Sequence, residues 1–554
     1  MASCSVANAH HSLHYSHPTT SRHFGGLVFP HQSTASSCSR VTRRSFQKLS
    51  CELLVLVLEQ LQLLDTRSIW TVRSVCRVFH ELATPIAYRR VALNEKIVNS
   101  DAQRRFCAAV EHISAYTRHV IIRSNLMPSG TRRLLSGITK LSTITLDYVQ
   151  DDGHQTTTGP WSVCDILDFE QLKRHDINVS IQSLPLGGSQ QDLPQSLLDP
   201  VLAKRLVSLQ LAKPMPPLTT RVDTLKRLLV QCSALENLEY EDLGRGTSFT
   251  FSEGECLPAV SKMALKSYDW THSADEVARH WNMAALRSLS LVSVPVYNFL
   301  GSVCPRDLCH LTCLRVHDSQ TTSLERQEAA TRWLHDLVKN YISTLHILDI
   351  TCHTRLFSIE AITKHGRSLR EVRFRDHVGF RHDDAQCPTL SPRDIAKLGA
   401  TLPFVHTLEF DMDYRLCSPP EFLQALSTFP RLQNLTLHVQ TLLRASDAPD
   451  EASRDRLRDR LRDQDYESAM QTFSFLLRQR DRTNPDVPWR HMTINVGGWR
   501  RVMLRRTGSE WRRKNACGLY AERCFVLQRD EGGQYTFQED MCHDAGQYLS
   551  TAQL

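Results

Sequence analysis

From about residue 94 onward the chain repeats one apolar pattern, Leu-x-x-Leu-x-Leu or its equivalent, each time behind a helix-like segment. Clear copies start at Leu206 (with Leu209 and Leu211), Leu235, Leu286, Leu311, Leu345, Leu369, Val405 and Leu432, and weaker ones at Leu141, Leu265 (with Tyr268 and Trp270) and Trp489. The offset of two between the last apolar positions is a strand period, so each copy predicts a short strand with alternate side chains turned inward. The intervals carry a helical period, as in Val222, Leu225, Leu228, Leu229 and Cys232, or Trp333, Leu334, Leu337, Val338 and Tyr341. No single strand-helix unit covers its own apolar face, so the units must stack. The expectation is an α/β solenoid over 94–505, with parallel short strands on its concave face and helices on its convex face. A doubly wound sheet also alternates strand and helix. Strand cores of about three residues, with no Gly-rich phosphate loop behind any of them, favour the solenoid.

Upstream, Leu49 to Leu93 has a different pattern. Leu53 to Leu58 form an unbroken apolar run continued by Leu61, Leu63 and Leu64, so the helix they predict has no wholly polar face and needs burial on more than one side. A second helix is expected over Asp65–Val72 with Asp65 as its N-cap, and a third over Val75–Ala83, stopped by Thr84-Pro85. A segment this short sits at the lower limit for a self-sufficient core. Its surplus apolar surface points to the downstream domain or to another protein.

The order Leu49, Glu52, Leu53, Leu54, Val57, Leu58, Leu61, then Asp65, then Val75, Cys76, Arg77, Phe79 and Leu82, with the flank Ala83-Thr84-Pro85, Tyr88-Arg89 and Val91-Ala92-Leu93, resembles a fungal F-box. One position departs from that family: its usual proline after the first leucine is Ser50. Since proline at the first turn helps start a helix, the exchange is expected to weaken the helix entry. The repeats in turn resemble an irregular leucine-rich array, although copies between Leu206 and Leu432 are spaced from 21 to 36 residues apart and the usual asparagine or cysteine after the strand is mostly missing.

The F-box resemblance implies that Leu49, Glu52, Leu53, Leu54, Val57, Leu58, Leu61, Val75, Cys76 and Phe79 bind a Skp-family adaptor. Through it they would join a cullin-RING (SCF) ubiquitin ligase, leaving the repeats to capture a target protein for degradation. The expected layout is a disordered tail over 1–46, an F-box over 47–93, the solenoid over 94–505 with a charged helical insertion at 447–485, and a C-terminal tail or cap over 506–554. A leucine-rich scaffold without ligase coupling, and a nucleic-acid regulator, are the rival readings.

Composition adjusts this picture only in places. A hydrophobic content of 41% with 23% charged residues is ordinary for a globular protein, and a net charge of +7 over 554 residues does not by itself call for nucleic acid. No apolar run reaches the ~20 residues of a membrane span. Seventeen cysteines without a Cys-x-x-Cys pair suit free thiols in the cytoplasm or nucleus. The first 46 residues hold no Asp or Glu and many Ser and His, which predicts disorder. Arg454, Arg458 and Arg462 alternate with Asp455, Asp459 and Asp463 at helical offsets, predicting a solvated helix between repeats.

No nucleophile, phosphate-loop or metalloprotease motif occurs, so neither catalysis nor a cofactor is expected. Cys304, Cys309, Cys313 and His317 lack the tight knuckles of a structural zinc site. Thr507–Tyr520 is similar to the second half of a GATA-type zinc finger, but only Cys517 remains of its ligands, so no metal is expected there. Strand alternation puts Glu239 and Glu241, Asp269, Arg315 and His317, Arg373 and Arg375, and Glu409 and Asp411 on the concave face. Arg315, Arg373 and Arg375 are the candidate contacts to an acidic or phosphorylated target, because a guanidinium offers a planar fork of donors.

Overall fold

The computed structural model of the chain describes residues 49–149, 163–185, 195–212, 222–242, 247–318, 323–377, 387–413, 416, 418–439, 454–496 and 523–541. The chain divides into two compact units, residues 1–184 with 194–207, and residues 185–193 with 208–554.

The first unit begins with three helices, α1 (Cys51–Leu64), α2 (Thr66–Val72) and α3 (Arg77–Ala87). Asp65 caps α2 as expected, its carboxylate accepting from the Arg67 amide at 2.8 Å. Two expectations are corrected. Ser50 does not weaken the entry to α1: its hydroxyl is the N-cap and accepts from the Leu53 amide, satisfying a donor that the first turn leaves open. Thr84-Pro85 does not stop the third helix either, which runs through Pro85 to Ala87. Thr84 turns its hydroxyl back to the His80 carbonyl at 2.6 Å and takes a hydrogen bond from Arg73 Nε, so the neighbourhood of the proline stays satisfied. Burial of Ala83, Ile86 and Ala87 against the other helices rewards the continuation.

Four parallel strands follow in chain order: β1 (Arg90–Ala92), β2 (His119–Arg123), β3 (Thr143–Asp147) and β4 (Asn178–Leu184). Only β3 is visible in the leucine pattern. In β2 the leading leucine slot is filled by Thr117, fully buried because its hydroxyl donates to the Tyr88 carbonyl at 2.9 Å. A hydrogen-bonded threonine does the packing work of the leucine that the pattern demands.

The second unit repeats the same step. Its strands are β5 (Leu206–Leu211, joined to its neighbour by Ser208–Gln210), β6 (Asn237–Glu241), β7 (Lys262–Lys266), β8 (Ser288–Val292) and β9 (Cys313–His317). They continue with β10 (Ile347–Cys352), β11 (Glu371–Asp376), β12 (Thr407–Met412), β13 (Asn434–Val439) and β14 (His491–Val496). All of these pair in parallel with their neighbours in sequence order. Their register stacks Leu238, Met263, Leu289, Leu314, Leu348, Val372, Leu408, Leu435 and Met492 into one buried column. The offset-two positions form a second, from Tyr240 and Leu265 to Leu437 and Ile494. The result is a mixed α/β architecture, an open sheet of mostly parallel strands built from stacked repeats, as the pattern predicted.

The copy expected at Leu265, with Tyr268 and Trp270 as its inward pair, is five residues out of register. The strand is Lys262–Lys266, carried by Met263 and Leu265, and it ends where Ser267 takes a left-handed conformation (φ 57°). Tyr268 and Trp270 are buried beyond it in an aromatic cluster with Trp281 and Phe299. Two further strands, β15 (Arg523–Arg529) and β16 (Tyr535–Met541), extend the sheet in antiparallel fashion through the region read as a tail or cap. The charged insertion contains a helix over Arg454–Thr483 whose later part buries Ala469, Phe473, Leu476 and Arg480. Residues 1–46 and the GATA-like Thr507–Tyr520 lie outside the described residues.

Candidate docking surface

Helix α1 sorts its apolar side chains onto two faces. At 100° per residue, Leu54, Leu58 and Leu61 share one face, and Leu53, Leu56, Leu63 and Leu64 share the opposite one, with Val57 at its border. Leu54 and Leu58 are buried, closing a small core with Ile69 of α2 and Ala83 and Ile86 of α3. Gln62 secures this packing by donating to the Ile86 carbonyl at 2.9 Å. Trp70 meets Tyr88 edge-on, and the Arg73 guanidinium lies over both rings.

The opposite face is open. Leu53, Leu56 and Val57 are about half exposed, and Leu63 and Leu64 are 79% and 85% exposed. Val75, at 65%, and Val78 add to the exposed apolar side chains just before and within α3. Scattered surface leucines need no explanation. A contiguous helical stripe of them does, since such patches on soluble proteins mark interaction sites.

The residues expected to bind an adaptor therefore divide. Leu49, Glu52, Leu53, Val57, Val75 and Cys76 are exposed, Leu61 and Phe79 are partly so, and Leu54 and Leu58 belong to the interior. Leu56, Leu63, Leu64 and Val78 share the exposed surface without having been assigned to it. For the three leucines on α1 the signal was the helical angle, which separates them from Leu54 and Leu58.

The three arginines expected to meet a target are placed on one polar face of the second unit's sheet. In register across it stand Arg315, Asp349, Arg373 and Glu409, an alternating row of charge. Arg373 Nε lies 2.8 Å from Glu371, close but without hydrogen-bond alignment, and 3.7 Å from Glu409. Arg315 stands 3.9 Å from Asp349, whose other oxygen is 3.0 Å from His317.

Arg375 is different. It is 7% exposed, donates to Asp411 at 2.9 Å and lies 3.7 Å from Glu409, while the other Asp411 oxygen accepts from the Asp376 amide. Expected to face a target, it is instead withdrawn from solvent, and an arginine taken out of water must find its carboxylates within the fold. Asp269 is likewise not on this face, since it follows β7 rather than lying within it.

The same burial governs the ionisation of the row. Desolvation pushes Glu409 up, yet the His438 hydrogen bond and the charges of Arg375 and Arg373 outweigh it and hold the carboxyl down at about 2. Burial and the Arg375 charge push His438 down to about 4, so its imidazole is neutral at pH 7. Its Nε2 then donates to Glu409 at 2.8 Å, and Nδ1 takes the Asn495 amide at 3.4 Å.

Of the four sulfur and imidazole groups considered for zinc, Cys304 is exposed, Cys309 half-buried and Cys313 buried on β9, with His317 directed at Asp349 and Thr351. Among the described residues no group of three or more His, Cys, Asp or Glu is arranged to hold a metal ion. No helix among them is long and apolar enough to cross a membrane.

No protein-family model matches the chain, and no curated protein matches it in sequence. Among solved structures it is similar to a chain of the Toll–Spatzle complex, described as a molecular hub in Drosophila development and innate immunity. The likeness has 10% identity and a TM-score of 0.26, and covers 66% of this chain and 52% of that one. The repeat architecture stated above rests on strand register, not on this likeness.

Proposed function

We propose that the chain is the substrate-recognition adaptor of an SCF-type ubiquitin ligase and not an enzyme. In this reading α1–α3 act as an F-box that docks a Skp-family adaptor, and through it a cullin-RING ligase, while the stacked repeats receive the protein to be degraded. The observation that carries it is the outward stripe Leu53, Leu56, Leu63 and Leu64, with Val75 and Val78 also exposed, on the one segment whose sequence resembles an F-box. Interfaces draw most of their energy from a few apolar anchors that become fully desolvated. This stripe supplies such anchors and the small core beneath it does not.

The test uses the full chain and a recombinant fungal Skp-family adaptor. Replacing Leu56, Leu63 and Val75 together by serine is expected to weaken binding by at least about a hundredfold, at roughly 1–2 kcal/mol per anchor. Unfolding free energy should change by less than about 1 kcal/mol, because exposed positions contribute little to stability. Wild-type binding by this variant overturns the assignment of the stripe.

A further inference from the structure

Beside the stripe, the first unit gathers four basic residues at one corner of its sheet. The Arg89 carbonyl accepts from the amides of both Arg118 and His119, at 2.9 and 3.0 Å, and Arg90 is the register partner of His119. Arg89, Arg90, Arg118 and His119 are thereby held together by backbone pairing rather than by chance contact of long side chains.

Only one of the four is neutralised. Arg89 reaches back to Glu59 of α1 at 2.7 Å, while Arg90 and Arg118 are exposed and make no ion pair among the described residues. The crowding is felt at His119, whose pKa is lowered by burial and then by the charges of Arg90, Arg118 and Arg89. Glu59 fixes where this corner lies. On α1 it stands between Leu56 and Leu63, at offsets of three and four, so the ion pair borders the apolar stripe itself.

Resting on the adaptor reading above, we infer that the partner seated on the α1 stripe presents carboxylates to Arg90 and Arg118. The apolar stripe supplies the binding energy, and the two guanidiniums accelerate and orient the encounter. The argument is one of charge complementarity: two exposed guanidiniums that make no ion pair among the described residues, at a corner bordering the apolar stripe, gain carboxylate partners from an acidic surface seated there. Charges at the rim of an interface act mainly on the association rate, whereas desolvated apolar anchors act on dissociation.

The experiment measures association and dissociation of the full chain with a purified Skp-family adaptor at about 50 and 500 mM salt. The variant Arg90→Glu with Arg118→Glu is expected to associate roughly tenfold more slowly at low salt, to dissociate at the wild-type rate, and to lose most of the salt dependence. A control with the same change in net charge, Lys173→Glu with Arg174→Glu on the exposed end of the helix before β4, should behave as wild type. Equal slowing by both variants, or wild-type association without salt dependence, overturns the inference and leaves the adaptor reading standing. Absence of adaptor binding by the wild-type chain at either salt overturns the adaptor reading and takes this inference with it.

Discussion

Helix α1 and strands β9–β14 make opposite uses of the protein surface. On α1, leucines stand in water while their neighbours one helical face away fill a core. On the strands, Asp349, Arg375, Asp411 and His438 are withdrawn from water and paired with one another or with adjacent groups. Exposed apolar area has no local way to satisfy itself, so it waits for a partner. A charge finds its partner within the fold and, once buried, is closed to outside ligands. The difference teaches that side-chain type alone does not nominate a binding surface: here Arg375 is committed within the fold while Leu63 and Leu64 stand exposed.

The strongest challenge to this contrast is Asp411→Ala. If the charged row is closed on itself, removing the carboxylate leaves the buried Arg375 guanidinium and the Asp376 amide without their acceptor. Unfolding free energy should fall by about 3–5 kcal/mol, the cost typical of breaking a buried pair from one side. Urea denaturation of the variant checks it. A loss below about 1 kcal/mol means that Arg375 is solvated and available after all.

Acid sharpens the same contrast more gently. His438 has a folded-state pKa of about 4 against an ordinary value of 6.5, so the unfolded chain binds the proton first. Its contribution to stability is complete above about pH 6.5 and is lost as pH falls toward 4, a decrease of about 2–3 kcal/mol. Glu409, lowered from 4.5 to about 2, extends the loss at still lower pH, since its stabilisation is present above its free value and disappears as the folded carboxylate protonates. His438→Gln, which keeps a donor toward Glu409, should flatten stability between pH 6.5 and 4. An unchanged slope in urea melts across that range would show that His438 is not the titrating group.

The smallest effect tests the helical side. Ser50→Ala removes the N-cap of α1 and should cost about 1 kcal/mol, seen as a lower denaturation midpoint, without weakening adaptor binding once the chain is folded. A neutral result would mean that the α1 entry depends on packing and not on its cap.

Much of this was legible in the pattern of side chains. The repeats announced themselves because a strand residue that must stack on its neighbours leaves a fixed apolar spacing, and nearly every strand from β5 to β14 lies where that spacing put it. One copy there, and β2 in the first unit, depart from it. Thr117 buries a hydroxyl by bonding it to Tyr88, and Tyr268 with Trp270 occupies a cluster past the strand end, so polarity misled in one place and apolarity in the other. Proline lacks an amide and so predicts a stop at Pro85, but one missing hydrogen bond is outweighed when the following residues are buried.

Sequence alone determined the alternation of strand and helix, the stacked repeats and the surplus of leucine in the first helix, because these depend on spacing along the chain and on the need to bury apolar surface. Tertiary structure alone decided which leucines are spent in the core, that Arg375 belongs to Asp411 and Glu409, and that Arg89, Arg90 and Arg118 share a corner. Burial and ion pairing depend on neighbours that are distant in the chain, as Arg375 is from Asp411 and Arg89 from Glu59. Local periodicity carries no information about such distances.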